Sequence, residues 1–349
     1  MRDERTSADE TVTSLSRQLR DADPAQRVEA VERMLSRAPI GTGSPMRRPI
    51  LTPREIRDAL SVLVEAASDD ASAEVRALAV NGLGVFGRDD AGVLEPLLRS
   101  LRDPAAEVRV EAANALGEIH GGSTRIVTAL AIALRDSSRD VRLAAALALE
   151  ARAVDTAPAT RTLIDSLGDE HSLVGDHAAR ALRVLWAHRP PHEVSADLAV
   201  VPRSAASLWL LHALGAAHPD VLLEALDDQL TRGAAIDALA ERGATALAEG
   251  LQRLATIAPD TFEHWLLRGD PPVWRAGHER IWTDAMTMLA REGPTRMRRT
   301  VIAALPAVER SLRVAVLLEA LAKDPDDDVR DAAECARAEL MTILGLSAS

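Results

Sequence analysis

Tyrosine is missing from this 349-residue chain, phenylalanine occurs twice, and cysteine and lysine occur once each. The lone Cys335 excludes an internal disulfide framework and any multi-cysteine metal site, and a buried free thiol is the expectation. With so few rings, the core has to be built from aliphatic and small side chains. No uninterrupted apolar run approaches the roughly 20 residues that cross a bilayer. The start, Met1-Arg2-Asp3-Glu4-Arg5, is charged and lacks the apolar stretch of a leader, so the expectation is a cytoplasmic protein without membrane insertion. The net charge is −12, which disfavours general attraction to phosphate backbones and makes nucleic acid a poor partner for this acidic protein.

What the chain does have is a period. The register Asp-x4-Val-Arg-x2-Ala-x3-Leu returns every 33 residues, at Asp70/Val75/Arg76/Ala79/Leu83, Asp103/Val108/Arg109/Ala112/Leu116, Asp136/Val141/Arg142/Ala145/Leu149 and Asp169/Val174/Ala178/Leu182. A fixed period of this size means stacked units that bury their apolar faces against one another. Within one unit, Leu94, Leu97, Leu98 and Leu101 form a helical stripe that stops at Arg102-Asp103-Pro104. Val108, Ala112, Ala113 and Leu116 form a second stripe ending at Gly117, with Asp103 placed to cap that helix and Pro104 at its first position. Loops this short permit only antiparallel helix pairs.

The segment Arg102-Asp103-Pro104-Ala105-Ala106-Glu107-Val108-Arg109-Val110-Glu111-Ala112-Ala113-Asn114-Ala115-Leu116-Gly117, echoed at Asp324-Pro325-Asp326-Asp327-Asp328-Val329-Arg330-Asp331-Ala332-Ala333, resembles the HEAT repeats, in the short form of phycobilisome-lyase-like proteins. The signatures of ankyrin and tetratricopeptide repeats are absent. The fold implied is all-α: an α-solenoid of about eight or nine stacked antiparallel helix pairs in a HEAT-like superhelix. Residues 1–55 read as an N-terminal repeat with an inserted loop, Ala38 to Leu51, after which Thr52-Pro53-Arg54-Glu55 restarts a helix as a capping box. Residues 56–187 are regular repeats. Residues 188–293 are degenerate, with Pro190-Pro191, Pro202 and Pro271-Pro272 suggesting kinks. Residues 294–349 are C-terminal repeats and a cap.

The Arg76, Arg109 and Arg142 row shares its phase with Asp70, Asp103, Asp136 and Asp169, which reads as a ladder of ion pairs locking adjacent repeats. In the next unit the arginine is replaced by Gly175, where the ladder should weaken. The clusters Arg296/Arg298/Arg299/Arg310/Arg313 and Arg47/Arg48/Arg54 read as solvated faces balanced by acids rather than anion sites.

Chemical motifs are scarce. There is no Gly-x-Ser-x-Gly elbow and no Walker-type loop, and Lys323 is the only lysine. The di-iron deoxyhypusine hydroxylases, which share the repeat, would place His-Glu pairs where this chain has Ala77-Leu78, Val110-Glu111, Leu143-Ala144 and Asp176-His177. His192-Glu193 and His278-Glu279 lie outside that register. No catalytic residue, cofactor site or metal ligand is therefore assigned. Trp265, Trp274 and Trp282, with Phe262, cluster in the degenerate segment, and their rings fit either core filling or contact with a partner.

The resemblance places the second helices on the concave side, and there Leu78, Asn81, Glu111, Asn114, Leu147, His177 and Arg180 point away from the core. Leu78, Val110, Leu143 and Leu147 are apolar where a solvated helix would carry charge, which suits a groove receiving another protein. The reading is a non-enzymatic scaffold or adaptor binding another protein along this face, with Trp265, Trp274 and Trp282 as a second candidate surface. Some prokaryotic proteins with such repeats act in signalling or taxis. The alternative is a HEAT-fold enzyme of the alkylpurine-DNA-glycosylase or bilin-lyase kind.

Overall fold

A computed structural model describes residues 12–36, 52–121, 123–152, 156–201, 203–268 and 279–346. The described residues form twenty α-helices and one short 3-10 turn, with no strand. Two compact units divide the chain, Met1–Pro190 and Pro191–Ser349.

The first unit holds five helix pairs. In order they are α1 (Val12–Gln18) with α2 (Pro24–Leu35), α3 (Pro53–Asp69) with α4 (Ala73–Phe86), α5 (Leu94–Ser100) with α6 (Ala106–Glu118), α7 (Ser123–Ala133) with α8 (Arg139–Arg152), and α9 (Ala157–Ser166) with α10 (Ser172–Leu185). Local chemistry sets their starts. Asp23 accepts the N–H of Ala25 with Pro24 at the first helical position. Thr52 closes the expected capping box, its own N–H donating to Glu55 Oε2 at 2.7 Å while Glu55 N–H returns to the Thr52 hydroxyl. The stretch from Ala38 to Leu51, with Arg47 and Arg48, lies outside the described residues.

One capping expectation needs correcting. α6 begins at Ala106 and its N-cap, Ala105, makes no side-chain bond, because Asp103 stands two residues earlier and accepts the N–H of Ala105 at 2.9 Å. The same turn recurs at Asp70, Asp136 and Asp169. The carboxylate thus fixes the turn between the two helices of a pair, and both of its oxygens also accept from the neighbouring repeat.

That neighbour is the arginine of the preceding pair. Arg76 donates through Nε and Nη2 to the two oxygens of Asp103 at 2.8 Å each, Arg109 does so to Asp136 at 2.8 Å, and Arg142 to Asp169 at 2.8 and 3.1 Å. Arg27 makes an additional rung to Asp70 at 2.7 and 2.8 Å. The inserted loop throws Arg27 out of the 33-residue register, which hides this rung in the sequence. The remaining nitrogen of each arginine, Nη1, reaches back to carbonyls of its own turn, as from Arg109 to Asp103 O and Pro104 O. The rung side chains are only 7–15 % exposed, so these bidentate pairs are largely shielded from solvent. Burial pushes the carboxyls of Asp103 and Asp136 up. The arginine and backbone hydrogen bonds, with a guanidinium charge on either side, outweigh it and hold both below the ordinary aspartate value.

Glycine and alanine bring the second helices together. A Cβ at Gly84 would lie 2.7 Å from Ala115 Cβ, and one at Gly117 would lie 3.0 Å from Ala148 Cβ, so α4, α6 and α8 approach as closely as a missing side chain allows. The first helices are looser, and α5 and α7 stand apart. At the end of α8, Arg152 clamps the turn after α6, donating to Leu116 O, Ile119 O and Gly121 O at 2.8–2.9 Å. A cation there complements the helix's negative end.

The second unit also contains five pairs: α11 (Pro191–Leu198) with α12 (Ala205–Ala213), α13 (Pro219–Glu224) with α14 (Arg232–Glu241), α15 (Ala244–Ile257) with α16 (Pro259–Arg268), α17 (Glu279–Glu292) with α18 (Thr295–Val308), and α19 (Leu312–Leu321) with α20 (Asp327–Ile343). Ten pairs among the described residues stand against the eight or nine legible in the sequence, since α11 to α14 are short and keep little apolar spacing. Pro191, Pro219 and Pro259 begin helices rather than kink them, where a missing N–H costs nothing. Pro202, Pro271 and Pro272 lie outside the described residues. One continuous core runs from Leu208 to Leu340. It keeps fragments of the ladder: Arg298 pairs with Asp324, and Arg232 holds its own turn at Leu226 O but meets no carboxylate among the described residues. Cys335 is exposed, not buried as expected, because Val329, Ala333, Ala336 and Leu340 form the inward stripe of α20 and position 335 falls off it.

Gly84→Val should lower the unfolding free energy by about 1–3 kcal/mol, the usual cost of overpacking, measured by urea denaturation. Arg109→Ala should cost about 1–3 kcal/mol by leaving Asp136 shielded and unpaired. Because the carboxyl pKa values are depressed, the ladder's contribution is complete above about pH 4–5 and is lost as pH falls through the lowered values. The urea midpoint should fall over that acid range, and less steeply for Asp136→Asn. Equal slopes for the two proteins would show that Asp136 does not titrate low.

Candidate partner-binding surface

The second helices of the first unit turn one face to the core, one edge to each neighbour and the last face outward. On that outward face the 33-residue period superposes Leu78, Glu111 and His177 in one column and Asn81, Asn114, Leu147 and Arg180 in another. The structure brings all seven onto consecutive helices, α4, α6, α8 and α10. They differ in availability. Asn81 Nδ2 donates to Glu111 Oε2 at 2.9 Å, tying α4 to α6. His177 Nδ1 lies 2.6 Å from Glu150 Oε2, tying α10 to α8. Glu150 occupies the column that holds Gly84 and Gly117 in earlier repeats, so a side-chain bridge to His177 takes the place of the glycine–alanine contact there. Asn114, Leu147 and Arg180 are exposed, and neither Asn114 nor Arg180 has a partner among the described residues.

The apolar character of this face is smaller than expected. Leu78, Val110 and Leu143 are half-buried between neighbouring helices, and only Leu147, at 42 %, stands out. Two residues missed in the sequence restore some of it. Leu173 and Val184 on α10 are both exposed, and with His177 and Arg180 they follow helical spacing along one face. The signal was the spacing itself, read only for the column positions. On the same helices lie the exposed acids Glu107, Glu118 and Asp140.

Of the second candidate surface, only the side chain of Trp282 lies among the described residues. Trp282 is buried in the core of the second unit, as is Phe262, so these rings fill space between helices and offer no stacking face. Trp274 and the side chain of Trp265 lie outside the described residues. The arginine cluster of α18 and α19 is balanced: Arg296 meets Asp260 and Glu263 at 2.7 and 3.0 Å, Arg299 meets Asp328 at 3.4 Å, and Arg313 meets Asp284. Among the described residues no group of three or more His, Cys, Asp or Glu side chains could hold a metal ion, and no helix is long and apolar enough to cross a membrane.

Comparison with known proteins agrees with this geometry. The HEAT-repeat pattern matches residues 60–150, covering α4 to α8. No curated protein sequence matches the chain. Among solved structures, the karyopherin Kap121p bound to Ste12p aligns with 95 % of this chain at 15 % identity and a TM-score of 0.54. The same protein bound to the extreme C-terminus of the phosphatase Cdc14p aligns with 94 % at 15 % identity and 0.53, and bound to Nup53p with 95 % at 14 % identity and 0.53. The chain spans 40 % of the length of those karyopherins, so the likeness is one of fold. Paired helices, the 33-residue core pattern and the matched segment lead to one conclusion: the chain is an all-α solenoid that carries HEAT repeats over residues 60–150.

Proposed function

We propose that the protein is a non-enzymatic scaffold or adaptor that binds another protein along the outward face of the second helices in its first unit. The observation carrying this reading is the run of exposed, unpaired side chains of mixed character on adjacent helices: Asn114, Leu147, Arg180 and, beside them, Leu173 and Val184. A rigid stack presenting polar and apolar groups at fixed spacing can hold an extended or helical segment, with apolar anchors supplying affinity and amide and guanidinium groups fixing register. The solved karyopherins of similar fold are complexes with protein partners, among them Ste12p and part of Cdc14p, which supports the same use of a solenoid surface. Glu107, Glu118 and Asp140 on these helices oppose a phosphate backbone as the occupant.

The test is a triple variant, Leu147→Asp/Arg180→Glu/Val184→Asp, compared with the parent chain for binding to the protein that the parent retains stoichiometrically from its native lysate. Affinity should drop by about tenfold or more, with helicity unchanged by circular dichroism. Undiminished binding by a folded variant would remove this face from the interaction.

A further inference from the structure

The opposite layer of the first unit holds a surface that the scaffold reading does not use. α5 is only seven residues long, and between it and α7 the first helices part to leave a groove of about 520 Å³. Its apolar lining comes from Leu98, Leu101, Ala129, Ile132 and Ala133. Ile132 is 68 % exposed, among the most exposed large apolar side chains of the unit. At the N-terminal ends of the two helices the groove is spanned by an ion pair, Arg125 Nη1 to Glu95 Oε1 at 2.6 Å. Toward the other end Arg99 and Arg102 line it as exposed guanidiniums. Nearby, Arg125 is matched by Glu95 and Arg135 by Asp165 at 2.8 Å. Arg99 and Arg102 have neither an ion pair nor a hydrogen bond among the described residues; Arg99 feels the charge of Glu95, and the groove's two carboxylates, Glu95 and Asp136, are taken by Arg125 and Arg109.

We propose that this groove docks an acidic amphipathic helix from a partner protein, its apolar anchors on Leu98 and Ile132 and its carboxylates on Arg99 and Arg102. Two splayed helices form a trough that accepts a third, about 10 Å across, through residues at i, i+3/i+4 and i+7. The two unmatched guanidiniums choose the sign of the partner, since each can take a carboxylate bidentately and would repel a basic segment. They stand out in a chain whose net charge is −12. A nucleic acid is poorly suited, because the lining contains no ring for a base to stack upon. The inference goes beyond the scaffold reading and is independent of it, as the two surfaces lie on opposite helix layers.

The experiment titrates the full chain into a fluorescein-labelled designed helix of about 18 residues, long enough to fill the trough, with Leu at i, i+4, i+7 and i+11 and Glu on both flanks. A second probe carries Lys in place of Glu, and a labelled single-stranded DNA oligonucleotide is a third. Saturable binding of the acidic helix is expected. It should be lost in Ile132→Asp and weakened on the order of tenfold in Arg99→Glu/Arg102→Glu, with the lysine probe gaining from that reversal. All three substitutions sit on exposed positions, and circular dichroism verifies that the helices persist. The inference is overturned by no saturable binding of the acidic probe, by equal binding of the lysine or DNA probe, or by acidic-probe binding indifferent to both variants. Sedimentation that showed self-association abolished by Ile132→Asp would make the occupant a second copy and overturn it too.

Discussion

Each bidentate bond between an arginine and the aspartate of the next repeat does three things at once. It neutralises a shielded carboxylate, it sets the distance between successive turns, and through Nη1 it ties the arginine to the carbonyls of its own turn. The aspartate's backbone contact completes the arrangement, since one oxygen accepts the turn's N–H as well as the guanidinium. Turn and stacking are therefore coupled. A repeat with its turn unformed could not present the carboxylate, and a repeat without its neighbour would leave that carboxylate half-satisfied. Stability in such an array is carried by nearest-neighbour terms, and the ladder is their polar part.

The apolar part is the packing of the second helices. Gly84 and Gly117 let backbones approach where any side chain would collide with Ala115 or Ala148. At the next position the glycine gives way to Glu150, and a bridge to His177 takes over. The ladder changes one helix later, where Gly175 stands in place of the arginine, and the first compact unit ends at Pro190. Loss of the regular repeat thus involves the close contact and the ion pair together, within about one repeat of the boundary between units. In the second unit the core is continuous but the polar register survives only in part, at Arg298–Asp324 and in the one-sided clasp of Arg232.

The two outer surfaces follow from this construction. Tight second helices push the column residues Asn114, Leu147 and Arg180 outward in line, whereas loosely spaced first helices leave a trough between α5 and α7. The same difference in spacing explains why Leu78, Val110 and Leu143 are half-buried: in the tight layer, a residue beside the outward column is partly covered by the adjacent helix. A helical wheel drawn for one isolated helix treats such positions as solvent-facing.

Within the regular repeats, the 33-residue period, the apolar stripes and the Arg–Asp phase were sufficient by themselves to determine the helix pairs, their stacking and the rungs from Arg76 to Asp169, because these depend on nearest-neighbour contacts that repeat with the sequence. Tertiary structure decided whatever departs from the period. The Arg27–Asp70 rung lies across an insertion, so no fixed spacing reveals it. Asp103 holds the turn rather than the helix end, which depends on where the backbone enters the helix. The exposure of Cys335 and the burial of Trp282 were set by which side of a helix the neighbouring pair covers. The open groove depends on the spacing of two helices about 30 residues apart, and on which arginines find an acid across it. Those distances arise only when the layers are assembled.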